Sequence, residues 1–254
     1  MDEESRQGLK VVEFFGVPGV GKSHLVRRAA PENAKQPMNW FNEGGRARRI
    51  RRKAALMLRH LEAALAATLW ARKVIGLYSP MGWRRSWKVL FNWVFVDCLI
   101  REAARGRSPV VVLNQGIAQA LWSTKFGAGH ECPCEEVRSL VRLYLERLPI
   151  SEWCVVWVNA PLEVVQKRLE GREGCSPLDR DTGSMAEAHC AEREVGKVLN
   201  NLMRSANSRP TISVVNLEND DEGAASRLKG VMGWIEGDVA ALVELKEQSE
   251  NCTS

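Results

Sequence analysis

The segment GVPGVGKS at residues 16–23 constrains the fold of this 254-residue chain more than any other feature. It satisfies the pattern G-x-x-x-x-G-K-S without a mismatch. The segment follows LKVVEFF at 9–15, an apolar and β-rich run that is typical of a buried parallel strand. The residues after it predict a helix over 22–30, so the pattern has the strand, loop and helix context that gives it physical meaning.

The residue types in this loop suit phosphate groups. Glycines permit close approach and unusual backbone angles, so successive N–H groups can point at phosphate oxygens beside the positive end of a helix. Lys22 would supply a full charge to the β and γ phosphates, and Ser23 a hydroxyl ligand for Mg²⁺. The predicted nucleotide contacts are Gly16, Val17, Pro18, Gly19, Val20, Gly21, Lys22, Ser23 and His24.

Three further apolar runs predict buried strands, at 110–113, 153–161 and 211–217. Helical patterns lie between them, at 54–77, 83–105, 140–148, 161–171, 186–206 and 222–247. Alternating strands and helices predict an α/β fold, a three-layer α/β/α sandwich with a mainly parallel central sheet. We expect one domain over 1–254, with a helical acceptor-side insertion at about 44–105 and a mobile lid at about 172–185, where turn residues are frequent.

Charge and cysteine content narrow the class of protein. The chain has 36 Lys plus Arg against 31 Asp plus Glu, a net charge of +5 that is too mild to require a nucleic-acid partner. Residues 218–254 carry nine acids and three bases, net −6, so the preceding 217 residues carry about +11. Acids stand at the start where a signal peptide has bases, and seven cysteines at irregular spacing indicate reduced thiols. We therefore expect a cytoplasmic protein.

The most apolar stretch, 87–100, is interrupted by Lys88, Asn92 and Asp97 and is shorter than the roughly 20 apolar residues that span a bilayer. We therefore expect no membrane span. In the helix predicted at 83–105, apolar residues three and four apart predict one buried face. Its members are Trp83, Trp87, Leu90, Val94 and Cys98.

Proteins with this kind of loop are called P-loop proteins, and two large classes of them need further motifs elsewhere in the chain. A GTPase needs N-K-x-D and D-x-x-G at suitable places, and a transport ATPase needs an LSGGQ-like signature, none of which the sequence contains. The class that remains is the kinases, which close a late, arginine-bearing lid over the phosphates.

Four segments carry a resemblance to a kinase family: EFFGVPGVGKS at 13–23, RGRSPVVVLNQG at 105–116, WVNAPLEVVQKRLEGREGCSPLDR at 157–180 and VVNLENDDEGAASRLKGVMGWI at 214–235. In their order and separations the chain loosely resembles, over its whole length, the thymidylate kinase-like branch of P-loop nucleoside and nucleotide kinases. The resemblance implies ATP and Mg²⁺ as cofactors and a small-molecule acceptor of nucleoside or nucleotide type. It is also compatible with a homodimer. It makes Arg168 and Arg172 adenine-side or phosphate-side contacts and Arg180 a lid arginine.

One position departs from the family pattern. The second core strand ends in LNQG, with Asn114 where the family usually has an acid, and an amide cannot accept a proton as a carboxylate does. Glu13, on the strand before the loop, and Asp97, in an apolar helix, are the candidate catalytic carboxylates, each with a structural role as the other interpretation. Asn114, Gln115 and Gln119 are candidate acceptor-binding residues.

Asn114 also supports a second hypothesis, a nucleotide-binding regulatory or assembly protein with weak or no phosphoryl transfer. The basic run RARRIRRK at 46–53 is either a solvated helix face or a site for an anionic acceptor, RNA or a membrane surface. His130, Cys132 and Cys134 lack a second ligand pair at finger spacing, so we expect no zinc. Trp122, shortly after Asn114, is a candidate contact for a substrate ring.

Overall fold

A four-stranded, all-parallel sheet forms the centre of the structure, a computed structural model. It describes residues 8–29, 45–78, 83–106, 109–128, 134–170, 182–204 and 209–219, with single positions 228, 230, 231 and 233. The strands are β1 (Leu9–Phe15), β2 (Val110–Leu113), β3 (Ile150–Asn159) and β4 (Thr211–Glu218). The helices are α1 (Lys22–Ala29), α2 (Arg46–Arg59), α3 (Leu61–Leu77), α4 (Trp83–Arg105), α5 (Ile117–Ala128), α6 (Cys134–Glu146), α7 (Leu162–Glu170) and α8 (Thr182–Met203).

The strand order is β2-β1-β3-β4, so β1 and β3 lie in the middle. Leu113 is the partner of Glu13 on one side of β1, and Val155 is its partner on the other. Every residue of β2 and all but one of β1 are buried, as expected for strands covered on both faces. The predicted α/β architecture with a parallel sheet is therefore confirmed, and it is consistent with three layers.

The predicted bounds of β1 and β2 are correct, but β3 begins three residues earlier than the apolar pattern indicates. The missed residues include Glu152, whose carboxylate pairs with the Lys10 ammonium group on β1 at 3.3 Å. An ion pair between neighbouring strands allows a charged residue to stay in the ladder, although alternation of apolar side chains stops there.

The predicted helical insertion contains α2, α3 and α4, and the basic run 46–53 lies within α2 rather than before the helix. The α2–α3 junction at His60 has a non-helical backbone (φ −114°, ψ 41°). Glu102 on α4 holds this junction, because its two carboxylate oxygens contact Arg59 at 2.5 Å and His60 at 2.8 Å. Burial alone would raise the pKa of Glu102, but these two hydrogen bonds outweigh it and lower that pKa.

Aromatic side chains connect the insertion to the rest of the fold. Trp70 on α3 stacks on Tyr144 of α6, with ring centroids 4.3 Å apart, and Trp93 on α4 meets the edges of both. The indole N–H of Trp93 also donates to the Thr124 hydroxyl on α5 at 3.1 Å. Large buried rings of this kind contribute much of the packing free energy between helices.

The predicted buried face of α4 is correct from Leu90 to Cys98, but Trp87 is 52% exposed and that part of the prediction is wrong. Trp83 lies in α4, and its side chain is outside the described positions. Asp97 interrupts this apolar helix as noted from the sequence, and its carboxylate pairs with Arg101. Every helix among the described residues is too short or too polar to cross a bilayer.

Helix α8 begins at Thr182, four residues before the position that the sequence predicted, so residues 182–185 are helical rather than part of the predicted loop. Met185 explains the earlier start, since its apolar side chain is buried in the core. The rest of the predicted lid, 172–181, lies outside the described residues. The predicted closing helix lies largely outside them too.

Candidate functional site

The glycine-rich loop, residues 16–21, joins the carboxyl end of β1 to α1. The chain runs from β1 to β2 on one side of the sheet centre and from β3 to β4 on the other side, so the direction of the connections reverses between β1 and β3. In open parallel sheets such a reversal opens a crevice outside the carboxyl ends of the two central strands, and ligands bind there. The topology therefore places this loop where an α/β protein of this strand order has its binding crevice.

Glycine is required in this loop by both angle and space. Gly16, Gly19 and Gly21 have φ values of 149°, 97° and 96°, which side-chain-bearing residues rarely adopt. A Cβ at Gly16 would overlap the carbonyl oxygen of Val158, and one at Gly21 would overlap the Asn219 amide nitrogen. The spacing of glycines in the sequence pattern thus corresponds to points where the loop backbone touches β3 and the residue after β4.

The carbonyl group of Val20 is held from two sides. Its oxygen accepts hydrogen bonds from the Asn219 side-chain amide at 2.6 Å and from the Arg168 guanidinium at 3.2 Å. Asn219 is fixed in turn because its N–H donates to the carbonyl oxygen of Asn159 at 2.8 Å. The structure thus brings the predicted contact Arg168 to the loop. It also adds Asn219, whose only sequence signal was a polar residue directly after a buried strand.

Glu192 on α8 holds the other end of the loop. Its Oε1 accepts from the Val17 N–H at 3.2 Å and from the Trp157 indole at 3.1 Å, and its Oε2 contacts His189 Nδ1 at 3.0 Å. The Glu192 carboxylate is buried, so these partners replace the water that it loses. Sequence reasoning missed Glu192, because α8 carries many polar residues and nothing distinguishes this one.

This contact revises the predicted ring of phosphate-binding N–H groups. The N–H of Val17 already has a carboxylate partner, and Pro18 has no N–H to offer. The donors at the other end of the segment include the N–H groups of Lys22 and Ser23, which have no intrahelical acceptor because α1 begins at Lys22. The part of the segment that suits an anion is therefore its helical end.

Lys22 lies against the loop that precedes it. Its ammonium group donates to the carbonyl oxygens of Gly16 at 2.5 Å and Val17 at 3.0 Å. Ser23 and His24, in the first turn of α1, are exposed. The exposed hydroxyl and imidazole groups and the helix N-terminus thus share the helical end of the loop, while the Lys22 cation reaches back to its first two residues; together these groups suit an anionic ligand.

Glu13 is fully buried and binds the turn after β2. Its carboxylate accepts from the N–H groups of Gly116 at 3.0 Å, Ala118 at 3.1 Å and Gln119 at 2.9 Å, and so caps α5. Gly116 is required there, since a Cβ would lie 2.6 Å from the Glu13 carboxyl carbon. Burial raises the pKa of Glu13 to about 7, although the three N–H groups act against that shift. Glu13 therefore has the structural role that the sequence left open.

The predicted acceptor residues follow Leu113, the β2 partner of Glu13, and so lie at the same edge of the sheet as the loop. Asn114 is half-buried, and within the described part of the chain its buried Oδ1 has no hydrogen-bond partner; the same holds for Oε1 of Gln119, which is buried on α5. Gln115 is exposed. Two such carbonyl oxygens, one in the turn after β2 and one in the helix that follows it, favour a ligand that donates hydrogen bonds.

Two candidate site residues from the sequence, Asp97 and Trp122, form hydrogen bonds with other groups of the fold. Asp97 binds Arg101 Nε at 2.6 Å, and Arg101 reaches the carbonyl oxygen of Arg147, just before β3 begins. This places Asp97 towards the amino ends of the strands, and burial raises its pKa while Arg101 opposes the shift. Trp122 is buried and donates to the carbonyl oxygen of Ala188 at 3.0 Å. The Asp97 carboxylate and the Trp122 indole thus each have a partner within the fold, and the catalytic role of Asp97 and the ring contact of Trp122 stay predictions.

The remaining candidates are not described. Arg172, Arg180, His130 and Cys132 lie outside the described residues, and so does the side chain of Cys134. Among the positions that are described, no three histidine, cysteine or carboxylate side chains form a group that could hold a metal ion.

Comparison with known proteins gives no family model that matches the chain and no curated protein that matches it. The resemblance stated from the sequence therefore stays a resemblance between motifs. The functional interpretation depends on the loop, its supporting side chains and the topology around it.

The buried carboxyl group of Glu13 predicts a pH-dependent stability. Its pKa is raised from 4.5 to about 7 on folding, so its favourable contribution is full below about pH 4.5 and is lost as the pH rises through 7. Relative to Glu13→Gln, which does not titrate, the wild type should lose about 3 kcal/mol of unfolding free energy between pH 4.5 and 8. Urea denaturation at a series of pH values measures this difference, and a gap between the two proteins that stays constant with pH would contradict it.

Glu192 predicts a second effect on stability. Glu192→Ala leaves the Val17 N–H and the Trp157 indole without their acceptor, so it should cost about 1 to 3 kcal/mol in unfolding free energy. The control is Glu194→Ala on the same helix, which removes an ion pair with the exposed Lys197 and should cost less than about 1 kcal/mol. Denaturant titration compares the two variants, and equal losses would show that the Glu192 contacts do not support the loop.

Proposed function

We propose that this protein is a P-loop kinase that binds Mg²⁺ATP at residues 16–23 and transfers the γ-phosphoryl group to a small-molecule acceptor. The observation that carries the proposal is the glycine-rich loop, with Lys22 against it, at the crevice between β1 and β3. This combination of strand, left-handed glycines, lysine and helix N-terminus is what a polyphosphate needs. A P-loop kinase-like domain with an arginine-bearing lid is the matching fold.

The chain's own groups account for polyphosphate binding. The N–H groups that open α1 donate to phosphate oxygens, and the ammonium group of Lys22 moves from the Gly16 and Val17 carbonyl oxygens to the β and γ phosphates. Arg168 and Asn219 keep the Val20 carbonyl group turned away from the anion, because they bind its oxygen. Nucleotide binding therefore replaces the hydrogen bonds of Lys22 to two backbone carbonyl oxygens by charge-assisted hydrogen bonds to phosphate.

Magnesium fits this donor set. Mg²⁺ prefers oxygen ligands, keeps several waters and binds through substrate phosphates, so the exposed hydroxyl of Ser23 is a sufficient protein ligand. The ion supplies neutralisation of phosphate charge. The nearby buried carboxylates, Glu13 and Glu192, are already engaged by N–H donors and are not needed for it.

The acceptor enters beside Asn114 and Gln119. In the transfer, the bond between the γ phosphorus and its bridging oxygen breaks and the acceptor oxygen bonds to phosphorus, while the acceptor proton leaves to water. By the motif resemblance, Arg172 and Arg180 would stabilise the charge that spreads over the equatorial oxygens. A nucleoside or nucleotide is the acceptor class that the motif resemblance favours. Its N–H and O–H groups also suit the two unpaired carbonyl oxygens.

A second candidate function is a nucleotide-binding switch or assembly protein with little or no transfer. It is favoured by Asn114 and by Glu13, whose carboxylate is buried and occupied by three N–H groups and so is poorly placed to take the acceptor proton. Phosphoryl transfer depends mainly on positioning and charge stabilisation, so the absence of a base does not by itself exclude the kinase.

The experiment is an acceptor screen with labelled Mg²⁺ATP, covering nucleosides, nucleotides and sugars, with wild type, Lys22→Ala and the control Lys88→Ala. We expect acceptor-dependent label transfer by the wild type and by the variant at the exposed Lys88. Lys22→Ala should lose roughly a hundredfold or more in kcat/KM, because no other group replaces its charge.

The outcomes separate the two functions. Tight ATP binding without acceptor-dependent transfer would favour the switch over the kinase. Transfer at the wild-type rate in Lys22→Ala would contradict both the kinase and the switch, because each depends on Lys22 to bind the nucleotide phosphates.

A further inference from the structure

Helices α2 and α3 carry exposed apolar and basic side chains that no other described element covers. Four leucines among them, Leu58, Leu61, Leu65 and Leu69, are exposed by 70%, 53%, 59% and 66%. Leu61, Leu65 and Leu69 are spaced by four residues and lie along one side of α3, and Leu58 lies on α2, beyond the break at His60. We call these leucines, together with the exposed Arg48, Arg49, Arg51, Arg72 and Lys73, the Leu-Arg face.

The Leu-Arg face is distinct from the core side of the same helices. The buried residues of α3 are Ala64, Ala67, Trp70, Ala71 and Val74, and Leu56 is buried on α2. The exposed leucines therefore form a second apolar stripe on an already packed helix. Scattered exposed leucines are ordinary, but a contiguous row of them marks an interaction surface.

The two helices that carry the face meet at His60. The His60 N–H donates to the Leu56 oxygen at 3.2 Å and the His60 oxygen accepts from the Ala64 N–H at 2.8 Å, so α2 ends and α3 begins at this residue. The Glu102 contacts with Arg59 and His60 fix the junction to α4. The face is thus held in place by contacts on its rear side.

The net charge of α2 and α3 distinguishes between the candidate partners of the Leu-Arg face. Residues 46–77 contain nine bases and one acid, Glu62, so their formal charge is 9 − 1 = +8. A symmetric dimer through this face would bring two such surfaces together, and like charges at close range oppose that. RNA would satisfy the arginines but not the leucines, since nucleic-acid interfaces are more polar than this row.

We propose that the Leu-Arg face docks onto an anionic membrane surface, with the leucines at the boundary between headgroups and acyl chains and the arginines among the headgroups. Apolar burial and electrostatic attraction together give the affinity of such helices, and neither suffices alone. This proposal is independent of nucleotide binding. It gives the basic run of the sequence a partner that the helix insertion can reach.

The test is co-sedimentation of the full chain with vesicles of phosphatidylcholine alone or with about a third phosphatidylserine, without nucleotide. We expect binding to the anionic vesicles, weak binding to the neutral ones, and a loss of at least roughly tenfold in affinity at high salt. Replacing Arg48, Arg49 and Arg51 by Gln should weaken binding by about fivefold per residue. Leu61→Gln with Leu65→Gln should weaken it by at least about tenfold.

Matched controls keep the result specific. Leu143→Gln removes an exposed leucine from α6, and Arg193→Gln with Arg204→Gln removes exposed arginines from α8 and the residue that follows it. These variants should bind like the wild type, and circular dichroism checks that every variant is folded.

Equal binding to neutral and anionic vesicles, or no vesicle binding by the folded wild type, overturns the proposal. Two further measurements test the other occupants. A wild-type dimer in sedimentation velocity that Leu65→Gln dissociates would assign the face to a second copy. Tighter binding to single-stranded RNA than to anionic vesicles would assign it to nucleic acid. Either result contradicts the membrane proposal.

Discussion

The glycine-rich loop has its shape because side chains far away in sequence hold its backbone groups. Glu192 accepts the Val17 N–H, and Asn219 and Arg168 donate to the Val20 carbonyl oxygen. These contacts come from α7, α8 and the residue after β4, so the loop acquires its form only after the parallel sheet has brought those elements together. The positive φ angles of its glycines would otherwise be one option among many for a flexible segment. Pre-organisation of this kind lowers the entropy cost of binding an anion.

Both buried carboxylates near the loop hold backbone N–H groups. Glu13 fixes the turn that carries Asn114 and Gln119, and Glu192 fixes the beginning of the loop. Each carboxylate is stabilised by donors rather than by a cation, so removing one would leave several N–H groups unpaired in the core. The Glu13 and Glu192 carboxylates therefore point into the protein and hold the backbone at this edge of the sheet. Under the proposed function, the groups that meet the ligand are the ammonium group of Lys22, the hydroxyl of Ser23 and the side-chain amides of Asn114 and Gln119.

Local patterns in the sequence predicted much of the fold. The bounds of β1 and β2 follow from short apolar runs, and the loop follows from its glycine spacing, because both are set by neighbouring residues. The site is different, since Glu192 and Asn219 act across 175 and 199 residues and no local pattern marks them. Trp87 shows the same limit, because helical spacing indicates a face but not whether another element covers it. Glu13 and Asp97 were singled out as acids within apolar segments, and the structure gives each carboxylate a partner within the fold that no local pattern identifies.

If the loop at residues 16–21 and the first turn of α1 bind the phosphates of a nucleotide, their backbone N–H groups should respond to nucleotide in solution. An NMR titration of the ¹⁵N-labelled chain with Mg²⁺ADP and with a non-hydrolysable Mg²⁺ATP analogue measures this response. We expect saturable shifts that are largest at the amides of Gly19, Gly21, Lys22 and Ser23, because these N–H groups would donate to phosphate oxygens. Saturable shifts confined to other parts of the chain, or no shifts at millimolar nucleotide, would contradict this expectation.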